Sequence, residues 1–489
     1  MIVVAILDIG AWLPLFDECT VPTVIVLTIS LVFAYSVARI VYVLTIHPLA
    51  DVPGPKICAV TRIPYWIAYW NGTDVHWIRC LHEKYGPIVH YGPFDVSFIS
   101  AQAWKDIYGQ QKGGKELSKA RDFSVQPVNG VPSMLSASIE NHTRVRRLFS
   151  PAFSERALRG QEPLFKQYAD LLVSKLLELG VNGKPVEMTR LFNFTTFDVM
   201  AELCFGHSLE LLTRNEFSPW VASIFHSLEV LPIVSFISYY PLLDKLLTRF
   251  EPRSITAQRE AHCKHSADRV NQRLKEGSDR PDIFNLALQA QDTEQKLSVE
   301  EMHSNAEIFM FAGSETTATL LSGLTYHLLL HPDKHARIVS EVRGAFRSRQ
   351  EITFDALVDM RYLSACVREG LRVYPPIPPG TRVSVHQYAA YRAPAHFADP
   401  DAFAPERWLG ENPRYEGDER DVHQPFLVGP RNCIGQNMAM HEMRLLFATL
   451  IWEFDLELCE ESRGWSEQKA FGLWKKNALL CRVKPVESA

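Results

Sequence analysis

Three clusters of residues in this sequence have the types and spacing to do chemistry. In "PFLVGPRNCIGQNMAMHEMRLL", residues 425 to 446, Cys433 stands between Gly429 and Gly435 and just after Arg431, at the mouth of an apolar helical pattern. Such a cysteine is either a small buried hydrophobe or a sulfur held out to a ligand. In "AGSETT", Ala312 to Thr317, a glycine and three hydroxyl residues interrupt a helical pattern. The glycine costs about 1 kcal/mol there, and hydroxyls compete for backbone carbonyls. Two readings account for that weakness. One is a groove where a small ligand meets Glu315 as proton carrier and Thr316 as hydrogen-bond donor; the other is a close helix crossing that needs small residues. The third cluster is Glu369 and Arg372 in "VREGLRVYPPIPPG", which share a helical face at i, i+3. Alone, such a pair is a surface feature more often than not. "FADPDAFAPERW" supplies Arg407, which can join them in a buried network.

The elements that must position these residues are mostly helical. "LSVEEMHSNAEIFMFAGSETTATLLSGLTYHLLLHP" opens with the capping-box residues Ser298 and Glu301 and stays helix-compatible until Pro332, which predicts one long central helix around "AGSETT". "VRRLFSPAFSERALRGQEPLFKQYADLLVSKLLELG", "FTTFDVMAELCFG" and "DKHARIVSEVRGAF" are further helical segments. Strand signals are few and short: "PIVHYGP", "VSFIS" and "RVSVHQ". The fold class is mainly α with small β-sheets, without repeats.

Phe426, Gly429, Arg431, Cys433 and Gly435 follow the order F-x-x-G-x-R-x-C-x-G. With the segments above, this resembles the cytochrome P450 family of haem-thiolate monooxygenases over nearly the whole chain. The resemblance implies that Cys433 is the axial ligand of the iron of haem b. Backbone N–H groups and a following helix N-terminus stabilise a thiolate, and thiolate ligation favours O–O cleavage. It also implies that Phe426 packs beside the sulfur, that Gly429 and Gly435 let the loop approach the porphyrin, and that Arg431 belongs to the same loop. Glu369, Arg372 and Arg407 look like the structural triad behind that loop. "NHTRVRRLFSPAFS" is similar to the haem-propionate helix, with His142 where Trp often stands and Arg146 four residues on. Glu315 and Thr316 become the acid and alcohol that deliver protons to O2. Partners implied are an NADPH-cytochrome reductase, O2 and a lipophilic small molecule. The hinge wording and "LHEKYGPIVHYGP" resemble fungal microsomal members of secondary metabolism.

One departure stands out. Gly380 leads directly into "TRVSVHQYAAYR", where such relatives usually insert a further Pro-Arg-containing strand and a Gly-rich hairpin that lines the pocket. Arg382 fits the later strand and does not take over the lost propionate-binding role. A membrane-anchored haem-binding pseudoenzyme, impaired by the segment missing between Gly380 and Thr381, is therefore the alternative to an active monooxygenase.

Bulk properties agree with one large domain behind an appendage. The chain has 489 residues, 47% hydrophobic, with net charge −5. No basic run tracks phosphates, which disfavours nucleic acid as a partner. Its 9 cysteines are odd in number and include no C-x-x-C pair, which disfavours a disulfide scaffold and a zinc ribbon. From Cys19 to Ala38 no residue is charged, about the length that crosses a bilayer. Acidic Asp8, Asp17 and Glu18 precede this run while Lys56 and Arg62 follow it, so the body is expected on the cytoplasmic side. The expected layout is an anchor at 1–46 and a monooxygenase domain at 47–489, single-pass in the endoplasmic reticulum membrane. On that topology the sequons at Asn71, Asn141 and Asn193 are incidental.

Overall fold

The computed structural model describes residues 21–110, 117, 119, 129–249, 253–276, 282–289, 296–376 and 383–486. Its axis is the long helix Val299–Leu329, 31 residues that begin where the capping box predicts. Ser298 Oγ accepts the Glu301 N–H at 3.1 Å, and Glu301 Oε2 accepts the Ser298 N–H at 2.9 Å. Two donors that a helix start leaves orphaned are thereby satisfied.

This helix is packed on most of its circumference, chiefly by the helix Met188–Phe205, itself buried at nearly every position. A helix that is apolar all round belongs in a core. Their crossing is tight at Gly313, where an added Cβ would stand 2.5 Å from Met200 Sδ. Ser314 Oγ donates to the Thr196 carbonyl across the same contact at 3.2 Å. The close-crossing reading of "AGSETT" therefore accounts for Gly313 and Ser314, and the groove reading does not apply to that glycine.

Two further helices complete the frame: Arg361–Val373, which carries Glu369 and Arg372, and Gln436–Glu453, which starts just after Cys433. The segment expected as one helix from Val145 is two. Ile139–Phe149 ends in a 3-10 turn, Ser150–Phe153, where Pro151 has no N–H to continue the ladder. Glu155–Leu179 then restarts under a Ser154 cap.

The three predicted strands form one small sheet. Ile88–Gly92 pairs antiparallel with Asp95–Phe98, which pairs in parallel with Val383–Val385. A second sheet runs in the order Val186–Glu187, Leu480–Pro485, Phe454–Leu458, and a hairpin joins Lys469–Ala470 to Trp474–Lys475. The junction at Gly380 and Thr381 lies outside the described residues.

At the N-terminus, Val21–Thr45 forms a helix with exposed apolar side chains. It is long and apolar enough to span a bilayer. Asn193 is buried, so a glycan on that sequon is incompatible with the fold.

Candidate active site

The cysteine loop is shaped by its own backbone. Cys433 N–H donates to the Phe426 carbonyl at 2.8 Å and Asn432 N–H to the Gly429 carbonyl at 3.1 Å, folding the segment back on itself. Gly429 takes φ +79°, and a Cβ there would come within 1.9 Å of the Tyr108 carbonyl oxygen, so only glycine fits. Gly435 is the residue just before the helix Gln436–Glu453, and the Ala439 N–H donates to its carbonyl at 2.9 Å.

Cys433 is accessible at its surface although protein surrounds it on nearly every side. Burial pushes its thiol up, while the Gly435 N–H and the Arg146 guanidinium pull it down toward the thiolate.

Arg146 makes a second contribution to the loop. From one turn after the buried His142, it donates to the Asn432 carbonyl and to Asn432 Oδ1, both at 2.6 Å. The guanidinium thus clamps the residue before the cysteine through two of its N–H groups. Arg431 donates to the Ala137 carbonyl at 3.3 Å, and Phe426 packs partly buried against the main core.

Glu369, Arg372 and Arg407 meet in the interior, all with no exposure. Glu369 accepts from Arg372 Nη2 at 2.7 Å, from Arg407 Nε at 3.1 Å, from the Ala404 N–H at 2.8 Å and from Trp408 Nε1 at 2.9 Å. Burial opposes the charge on Glu369, yet the two arginines hold its carboxyl down at about 2. Arg407 also pairs with Asp418. From this cluster the path to the cysteine is short. Arg372 donates to the Tyr391 carbonyl at 2.7 Å, Tyr391 Oη accepts the Gln424 N–H at 2.9 Å, and Phe426 lies two residues on.

The long helix faces the loop through Phe309, whose ring lies 5.9 Å from that of Phe153, and Phe153 reaches within 3.9 Å of the Cβ position on Gly435. Near this contact, Ile308, Ala312 and Thr316, at i, i+4 and i+8, keep accessible surface, as do their neighbours Glu307, Phe311 and Gly313. Thr316 Oγ1 donates to the Ala312 carbonyl at 2.6 Å, which keeps the hydroxyl on that stripe.

A sequence profile described as Cytochrome P450 matches residues 61–482. The chain is 42% identical to the cytochrome P450 monooxygenase efuB of Hormonema carpetanum, over 98% of this chain and 97% of that protein. It is 43% identical to the cytochrome P450 monooxygenase FUM2 of Gibberella moniliformis, over 90% and 98%, and 39% identical to lcsI of Purpureocillium lilacinum, over 96% and 97%. The chain belongs to the cytochrome P450 family.

As a P450 it is a monooxygenase, an oxidoreductase that uses a haem-thiolate, O2 and a redox partner on small-molecule substrates. The residues present fit that group: an accessible thiol on a glycine-shaped loop, a backbone N–H and a cation beside it, and an accessible helical stripe nearby. The alignment to efuB runs over 502 positions, more than the 489 residues of this P450, so that relative has positions without counterparts here.

Glu315, one residue before Thr316, is held by partners from other positions. It shares no hydrogen bond with Thr316. Its Oε1 accepts from Lys476 Nζ at 2.5 Å and from Thr319 Oγ1 at 3.4 Å, with Glu315 and Lys476 both almost wholly buried. Sequence reasoning missed Lys476, Asn432 and Asp418. "LWKKNALL" holds nothing that pairs Lys476 with a helix 161 residues earlier. Asn432 occupies an unspecified position of the cysteine motif.

Proposed function

We propose that this P450 is a membrane-anchored monooxygenase of the endoplasmic reticulum that inserts one oxygen atom of O2 into a lipophilic small molecule, in secondary-metabolite biosynthesis, with electrons from an NADPH-cytochrome reductase. Haem b, held by the Cys433 thiolate, supplies the activation of dioxygen. The observation that carries the reading is the pairing of an accessible Cys433 thiol with the accessible stripe Ile308, Ala312 and Thr316 on the long helix.

Each residue then has a part. Gly429 and Gly435 give the loop its shape, Arg146 fixes Asn432 and has donors left for a propionate, and Arg431, His142 and Phe426 close the loop's surroundings. Glu369, Arg372 and Arg407 hold the loop from behind. Thr316 orients a proton donor on the stripe, and Glu315, one residue earlier, supplies the proton. Residues 1–46 anchor a catalytic domain at 47–489 that faces the cytoplasm.

Several features support the membrane setting. The exposed apolar helix Val21–Thr45 has the length of a span, and Val230, Ile233, Leu242 and Leu246 add exposed apolar surface. The test is reconstitution of the full chain with an NADPH-dependent reductase in vesicles, supplied with lipophilic candidates and oxygen-18 dioxygen. A product carrying one labelled atom is expected. Product formation without label or without NADPH would overturn the reading.

A further inference from the structure

A cavity of about 390 Å³ lies beside the long helix, between it, the helix Met188–Phe205 and the C-terminal segment. Its walls combine apolar side chains (Phe217, Phe225, Leu473) with Glu315, Lys476 and Asn193. Two of the buried wall residues carry oxygens with no hydrogen-bond partner among the described residues, Glu315 Oε2 and Asn193 Oδ1. Buried acceptors are nearly always satisfied, and the space beside these polar groups, though mostly apolar in lining, is large enough to admit waters that can donate to them.

Lys476 stands at the same wall. Its ammonium donates to Glu315 Oε1 at 2.5 Å and to Thr319 Oγ1 at 2.8 Å, which uses two of its three N–H groups among the described residues. Burial pulls its affinity for the proton below the ordinary lysine range, while Glu315 and Glu187 pull it back up.

We propose that Lys476 recharges Glu315 with protons drawn from water in this cavity. The inference rests on the reading of Glu315 and Thr316 as the proton-delivery pair. Each round balances. Lys476 passes one N–H proton to Glu315 Oε1, which leaves a neutral amine and a carboxylic acid. The acid turns toward Thr316 and gives the proton up there. The returning carboxylate and the amine are restored when a cavity water protonates Lys476, and the water takes its own replacement from solvent. Lys476 acts through Glu315 and does not touch the reacting atoms.

Arginine and glutamine separate this from a static clamp. Lys476→Arg keeps the charge and the ion pair but does not surrender a proton near neutral pH; Lys476→Gln keeps a hydrogen bond and loses the charge. In the reductase-supported holoenzyme, both variants are expected to lower kcat about tenfold with KM little changed. Both should also raise peroxide formed per NADPH and enlarge the solvent deuterium isotope effect. Haem content and the thermal midpoint, measured without substrate or reductant, report folding separately. Should the Arg variant fold poorly, Ala222→Phe, which fills the cavity from the opposite wall, is expected to enlarge the isotope effect in the same direction. Coupling and isotope effect equal to the parent in a folded Lys476→Arg protein would overturn the inference. If Glu315→Gln uncouples turnover while Lys476→Arg does not, only the Lys476 inference fails; if Glu315→Gln and Thr316→Ala both leave coupling unchanged, the delivery pair fails with it.

Discussion

The Thr316 hydroxyl donates a hydrogen bond to the Ala312 carbonyl, one turn back, and so keeps its oxygen on the accessible stripe of the long helix. Thr316→Ala removes that oxygen and little volume. We expect unchanged haem content with peroxide per NADPH raised about tenfold, read as the ratio of peroxide to product, because a positioned proton donor contributes on that scale or more. Unchanged coupling would make Thr316 a packing residue. At this scale the sequence was legible where a motif fixes spacing: Cys433 and its glycines share one loop, and Glu369, Arg372 and Arg407 converge although Arg407 stands on a separate segment. It was illegible where a contact joins segments far apart in the chain. Lys476 meets Glu315 only because a C-terminal loop packs on the long helix, and no local pattern encodes that approach. Arg146 was legible as a cation near the site, but its hold on Asn432 depends on the tertiary fit of two loops.

Elements carry the stability of the site. On Arg361–Val373, replacing Glu369 by Gln leaves the buried Arg372 guanidinium without its counter-charge and Arg407 with Asp418 alone, which costs about 3–5 kcal/mol. Denaturant unfolding should register that loss, together with weaker haem retention. The sign with pH follows from the depressed carboxyl: its contribution is full above the ordinary 4.5 and is lost as pH falls through about 2. The helix Gln436–Glu453 behaves in the opposite sense. Burial alone pushes Glu442, on that helix, up to about 8, and neither of its oxygens has a hydrogen-bond partner among the described residues. Its contribution is full below 4.5 and is lost as pH rises through about 8, so Glu442→Gln should gain thermal midpoint on the parent steadily across that window. A constant difference between pH 5 and pH 9 would contradict the assignment. Long helices were legible from capping and periodicity, as Ser298 and Glu301 show. The strands of two residues, Val186–Glu187 and Lys469–Ala470, were not, because so short a run has no alternation to detect. The break at Pro151 is hard to read from the sequence because the helical pattern resumes at once.

On the scale of the whole molecule, an apolar helix precedes a body in which the cysteine loop is held by Arg146 from one side and by the Glu369 cluster through Tyr391 and Gln424 from the other. Deletion of residues 1–45 should move most of the protein out of the membrane fraction on carbonate-free fractionation. The remainder is expected to stay through the apolar surface of Val230, Ile233, Leu242 and Leu246. Full retention would transfer the anchoring role to that surface. The central claim is that this whole arrangement serves a thiolate bound to haem iron, and the reduced, carbon-monoxide-bound spectrum of the full chain tests it most directly. We expect the red-shifted Soret band of thiolate ligation in the parent and its loss in Cys433→Ser, since an alcohol is a poor replacement for a thiolate donor. A parent without that band, or a Cys433→Ser protein that keeps it, would contradict the account, the first by leaving the chain a pseudoenzyme and the second by assigning the iron to another residue.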